Sequence, residues 1–178
     1  MQTIYILSGL GADHRVFQYI DFGENEVIHV SWLTPLQDES IEEYAKRIAE
    51  NIEPGTILIG LSFGGMVAIE VSKHIPIKQV ILISSAKTKN EIPFLYKFGG
   101  YLKLNKLLPL FMMNKGSFIN NYLFGAKTIF EKKLLDQILK DTDLEFLRWA
   151  LQRIVSWEND LIPQGTKHIH GAKDRVLY

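Results

Sequence analysis

Ser62 lies in the run Gly60-Leu61-Ser62-Phe63-Gly64-Gly65, a G-x-S-x-G pattern. A serine so placed suits nucleophilic attack on a carbonyl carbon. An apolar run, Thr56-Ile57-Leu58-Ile59, precedes it, and a helical pattern, Met66-Val67-Ala68-Ile69-Glu70-Val71, follows. Strand, sharp turn and helix together form the context of a nucleophile elbow. A serine at the tip of such a turn adopts a strained backbone, and flanking glycines remove the Cβ atoms that would clash with it. The helix that follows aims its first N–H groups at the site, where they can stabilise an oxyanion.

The elements that must hold this serine alternate between strand and helix. Ile4-Tyr5-Ile6-Leu7 reads as a buried strand entering the glycine loop Ser8-Gly9-Leu10-Gly11. Glu26 to Val30 reads as a second strand. Ser40 and Glu43 have the spacing of a capping box, and Ile41, Tyr44, Ile48 and Ile52 then share one helical face. Pro54-Gly55 closes that helix and leads into the strand before Ser62. The helix after Ser62 is expected to run to about His74. Gln79 to Ile83 reads as the next strand and Lys167 to His170 as the last. Continuous apolar strands separated by helices predict a parallel sheet covered on both faces.

Between Lys87 and Pro163 helical signals dominate and no clear strand occurs. Ile129 to Lys140 carries apolar residues at helical spacing. Thr142 and Glu145 suggest another capping box, with Leu144, Leu147, Leu151 and Ile154 on one stripe. This is the pattern of a helical insertion laid over the carboxyl ends of the strands, where open α/β sheets bind ligands. The run Leu107-Leu108-Pro109-Leu110-Phe111-Met112-Met113 suits either an apolar acyl pocket or ordinary packing inside the insertion. Trp149 and Trp157 have the same two readings.

Composition narrows the classes. The chain has 178 residues, 47% hydrophobic and 22% charged, which fits one globular domain. Twenty basic and twenty acidic residues cancel, and no basic tract stands out, so nucleic acid is not an expected partner. The absence of cysteine removes disulfides, thiol nucleophiles and thiolate metal sites together. The first residues lack a basic n-region, and no apolar run is long enough to span a membrane. A cytoplasmic location is the expectation.

Three segments together resemble the α/β-hydrolase superfamily. Gly60 to Gly65 is similar to the family's elbow. Ser8-Gly9-Leu10-Gly11, with Phe17 beyond it, resembles the H-G-x-G loop, Ser8 standing where the histidine usually is. His170-Gly171-Ala172-Lys173-Asp174-Arg175-Val176 resembles the H-G-x-x-D segment that carries the acid. The resemblance implies an α/β-hydrolase fold with a mostly parallel sheet. Its core would comprise residues 1–89 and 164–178, with a helical cap inserted at 90–163. It implies Ser62 as nucleophile, the backbone N–H groups of Leu10 and Phe63 as oxyanion donors, and Asp174 as the acid orienting a histidine. It implies no metal and no cofactor, and a small, fairly apolar acyl substrate such as an ester or thioester.

The family's order is serine, acid, histidine. Only Arg175, Val176, Leu177 and Tyr178 follow Asp174, and none is a histidine. The expectation is a chain lacking the C-terminal strand and helix, with impaired catalysis and homodimerisation through the open sheet edge or the cap. His14, just past the glycine loop, is the candidate substitute base, its ordinary alternative being a helix-start histidine. His168 and His170, two apart on a strand, share a face. His29 and His74 read as structural. Two other functions compete: a non-catalytic hydrolase-fold protein holding a ligand in the cap cleft, and a dinucleotide-binding domain. Gly9 and Gly11 prompt the latter, but His14 occupies the position of its third glycine.

Overall fold

The structure, a computed structural model, describes residues 1–92 and 118–174. Five strands form one parallel sheet: β1 (Thr3–Leu7), β2 (Glu26–His29), β3 (Ile57–Leu61), β4 (Gln79–Ile83) and β5 (Lys167–Ile169), in the order β2-β1-β3-β4-β5. Helix α1 (Ile41–Ala49) joins β2 to β3, and α2 (Phe63–Val71) joins β3 to β4. Between β4 and β5 lie α3 (Phe118–Leu123), α4 (Ile129–Asp141) and α5 (Leu144–Val155). The segment Leu107 to Met113 falls outside the described residues.

Chain direction decides which face each connection covers. From β2 onward every crossover runs the same way across the sheet, so right-handed connections stack α1, α2 and α5 on one face. There Tyr5, Leu7, Leu58, Val80 and Leu82 meet Tyr44, Val67, Phe146 and Trp157 in the main core. The step from β1 to β2 runs the opposite way and crosses the other face. That face holds Ile4, Ile6 and Ile59 under Phe17, with Phe22, Ile57, Ile81 and Ile83 only partly buried. Coverage is therefore unequal: among the described residues, helices pack on one side, and a single turn of 3-10 helix (His14–Phe17) with its loop covers the other.

The start of α1 follows the spacing rule. Ser40 Oγ accepts from Glu43 N–H, and the Glu43 carboxylate accepts from Ser40 N–H at 2.8 Å. The start of α5 does not. Its N-cap is Asp143, whose Oδ1 accepts from the N–H groups of Glu145 and Phe146. Thr142 instead closes α4, its hydroxyl donating to Ile138 O at 2.9 Å. An adjacent aspartate is the better acceptor, and the hydroxyl was already satisfied by the turn behind it. A capping box does begin α4, between Thr128 and Glu131.

Two further expectations change. Helix α2 ends at Val71, with Ser72 as C-cap, so His74 lies in the turn beyond it. On α5 the most buried residues are Phe146, Leu147 and Ala150, and Leu144 is only half-buried. Trp149 and Trp157 are packing residues. Trp149 donates to Glu39 O at 3.0 Å and packs on Tyr44, and Trp157, 2% exposed, donates to Glu70 Oε1 at 2.8 Å. Glu70 is fully buried and also receives Lys73 Nζ at 2.8 Å. No helix among the described residues is long and apolar enough to cross a membrane.

Candidate active site

The strand order reverses at β1: the chain leaves it for β2 on one side and returns to β3 on the other. Loops leaving the carboxyl ends of β1 and β3 therefore diverge and open a crevice, the usual ligand position in such sheets. The glycine loop follows β1 and Ser62 follows β3, with Leu7 opposite Gly60 in the register. The two loops are in contact, since a Cβ built on Gly9 would lie 3.1 Å from Ser62 Cβ.

Ser62 has φ 51° and ψ −120°, a conformation that a residue with a side chain adopts only when its surroundings impose it. Its N–H donates to Ile83 O at 2.9 Å, and its C=O accepts from Gly65 N–H at 2.9 Å. Neighbouring glycines permit the close approach. A side chain at Gly64 would collide with the carbonyl oxygens of Leu7 and Ser8, and one at Gly60 with the backbone of Gly64 and Gly65. Phe63 opens α2, where the first amides have no intrahelical acceptor. Leu10, half-buried in the glycine loop, finds no acceptor for its N–H among the described residues.

A cavity of about 360 Å³ adjoins this corner. Its walls are the loop from Ser8 to His14, the segment from His29 to Thr34, and α4–α5 residues including Asp141 and Phe146. Ser62 does not line it; Gly9 stands between the two. Trp32 and Phe146 stack at 5.2 Å between ring centroids and give the cavity an aromatic wall. Arg15 ties the loop to α4, pairing with Asp13 and, at 2.8 Å, with Asp141. Burial opposes ionisation of Asp13, but the Arg15 hydrogen bonds outweigh it and hold the carboxyl below its usual range.

Two histidines face this cavity. His14 lines the wall, and His29 at the end of β2 lies edge-on to it at 5.9 Å. Burial lowers the His29 pKa, the charge of His14 adds to that, and Asp13 opposes it. His29, read from its strand as structural, reaches the cavity because it stands at the carboxyl end of β2.

Asp174 lies after β5, two strands from Ser62. The structure brings it to His170, whose Nε2 is 3.1 Å from Asp174 Oδ2, and His170 Nδ1 is 3.3 Å from His168 Nε2. Ser62 and Asp174 thus sit at the same edge of the sheet with the end of β4 between them. No hydrogen bond joins the Ser62 hydroxyl to an imidazole among the described residues.

Comparison with solved structures decides the architecture. MenH from S. aureus superposes with a TM-score of 0.62 at 19% identity, over 89% of this chain and 68% of that one. A hydrolase from Pseudomonas aeruginosa PA01 gives 0.69 at 14% identity, over 98% and 73%. A hydrolase from Oleispira antarctica gives 0.64 at 13%, over 99% and 75%. The chain has the α/β-hydrolase fold. No protein-family model matches it, and no curated protein matches it in sequence. At these identities the hydrolase fold is what the likeness carries; the reaction has to be argued from the site.

Proposed function

We propose that the chain is a serine hydrolase acting on a small, fairly apolar ester or thioester through an acyl-serine intermediate. The observation that carries this reading is Ser62, held at positive φ at the switch point of a hydrolase-fold sheet and against the glycine loop. In the proposed reaction Ser62 Oγ attacks the acyl carbon and loses its proton to an imidazole. The N–H groups of Leu10 and Phe63 hold the oxyanion that forms. Collapse expels the alcohol or thiol, which takes that proton, and water then hydrolyses the acyl-serine. Asp174 is the acid of this scheme. The proposed base is an imidazole, with His14 on the cavity wall and His170 against Asp174 as the candidates. Residues 1–89 and 164–178 are the proposed core and 90–163 the proposed cap insertion, with Trp32, Phe146 and Ile138 offering apolar surface to the acyl group. The last helix of the insertion, α5, also packs on the sheet beside α1 and α2 through Phe146 and Ala150. Self-association through the β5 edge, where Ile169 is 58% exposed, or through the cap belongs to the same proposal.

A second reading has one observation behind it. The Ser62 hydroxyl has no imidazole partner among the described residues, which suits a non-catalytic protein holding a ligand in the cavity. Labelling with a fluorescent phosphonate separates the two. A hydrolase is modified at Ser62 and spared in Ser62→Ala, whereas a ligand-binding protein is modified in neither.

A further inference from the structure

We infer that Ser85 is a positioning residue for the nucleophile turn, an inference that rests on the reading of Ser62 as nucleophile. Ser85 follows β4, is 2% exposed, and its Oγ lies 2.7 Å from the carbonyl oxygen of Ser62. A hydroxyl has one proton to donate. The alternative acceptor, Ala86 O, is 3.4 Å away, so the bond to Ser62 takes it. The contact is built from both sides: a side chain at Gly65 would collide with Ser85 Oγ and Cβ, so the first turn of α2 leaves room for this hydroxyl.

The surroundings say what the bond is for. Ser62 and Ser84 are both non-glycine residues at positive φ, 51° and 44°, at the ends of adjacent strands. Two such residues side by side persist only where neighbours over-determine them. Ser62 N–H is fixed by Ile83 O at 2.9 Å, and Ser84 N–H by Ile169 O at 2.9 Å. Ser85 Oγ adds a hold on the Ser62 carbonyl. The end of β4 is therefore a bracket joining the serine-bearing turn on one side to the strand leading to Asp174 on the other. Ser85 touches no reacting atom; it acts by fixing the peptide from which Ser62 and the Phe63 N–H both project.

The test compares the full chain with Ser85→Ala and Ser85→Thr by amide hydrogen exchange and by phosphonate labelling rate. In Ser85→Ala the amides of Ser62 and Gly65 should exchange about fivefold faster, and labelling of Ser62 should slow by about the same factor, as expected for one net hydrogen bond. Amides of α1 should not change, and threonine should restore both readouts. Unchanged exchange at Ser62 and Gly65 would overturn the inference. So would equal acceleration throughout the core, which would make Ser85 a general stability residue. If the wild-type chain is not labelled, the nucleophile reading fails, and the exchange pattern of Ser85→Ala still decides whether Ser85 holds the turn.

Discussion

His170 Nε2 lies 3.1 Å from Asp174 Oδ2, so the carboxylate proposed as the acid already holds an imidazole from its own loop. The Asp174 side chain is only 12% exposed, which favours a specific partner over solvent. Replacement by Asn keeps the shape and removes the charge that would stabilise an imidazolium. On the hydrolase account, Asp174→Asn slows phosphonate labelling of Ser62 by about a hundredfold or more. An unchanged rate would remove Asp174 from the mechanism. His14→Ala and His170→Ala, measured beside it, assign the base to whichever substitution abolishes labelling.

The elbow glycines make a stability prediction of known sign. Gly64→Ala puts a methyl group against the carbonyls of Leu7 and Ser8, rigid backbone that cannot yield. A loss of about 2–4 kcal/mol in urea unfolding is expected, or failure to fold. Gly55→Ala is the control. Nothing lies within 4 Å of its added carbon, and only its φ of +78° is unfavourable. That strain should cost about 1 kcal/mol.

Trp157 and Glu70 form a buried pair in the main core, with Lys73 as the second partner of the carboxylate. Trp157→Phe keeps most of the ring and deletes the N–H donor. A buried carboxylate that loses a donor should cost about 1–3 kcal/mol, read from the unfolding midpoint. A change within error would mean that Lys73 alone satisfies Glu70.

Two histidines contribute to the pH response near neutrality. Burial first, then the charge of His14 with Asp13 opposing, holds His29 below the ordinary imidazole value of 6.5. Burial first, then Lys87 and His170, with Glu91 opposing, does the same for His168. The unfolded chain then binds more protons than the folded one between the depressed values and 6.5. Stability should be full above 6.5 and should fall as the pH drops through that window. The double variant His29→Gln/His168→Gln should flatten the curve between about pH 7.5 and pH 5.5. An equally steep fall in the double variant would place the titration elsewhere.

Local patterning carried most of the fold. Ile4 to Leu7, Ile57 to Ile59 and Gln79 to Ile83 announced their strands because buried parallel strands are continuously apolar, and Ser40 with Glu43 announced α1. The unequal covering of the two faces was not legible, because it follows from strand order. The Thr142 expectation failed on competition between neighbours, since nothing in spacing says that Asp143 is the better cap. For the site, Ser62 and the glycine loop were visible as motifs. The contacts of Ser85 with Ser62 and of His29 with His14 were not: each arises only when β4 or β2 is placed beside a neighbouring strand.

The most direct measurement is phosphonate labelling of the 178-residue chain beside Ser62→Ala, with the modified peptide located by mass spectrometry. The account predicts one modification, on Ser62, absent from the variant. An unmodified wild-type chain, or labelling that persists in Ser62→Ala, would contradict it.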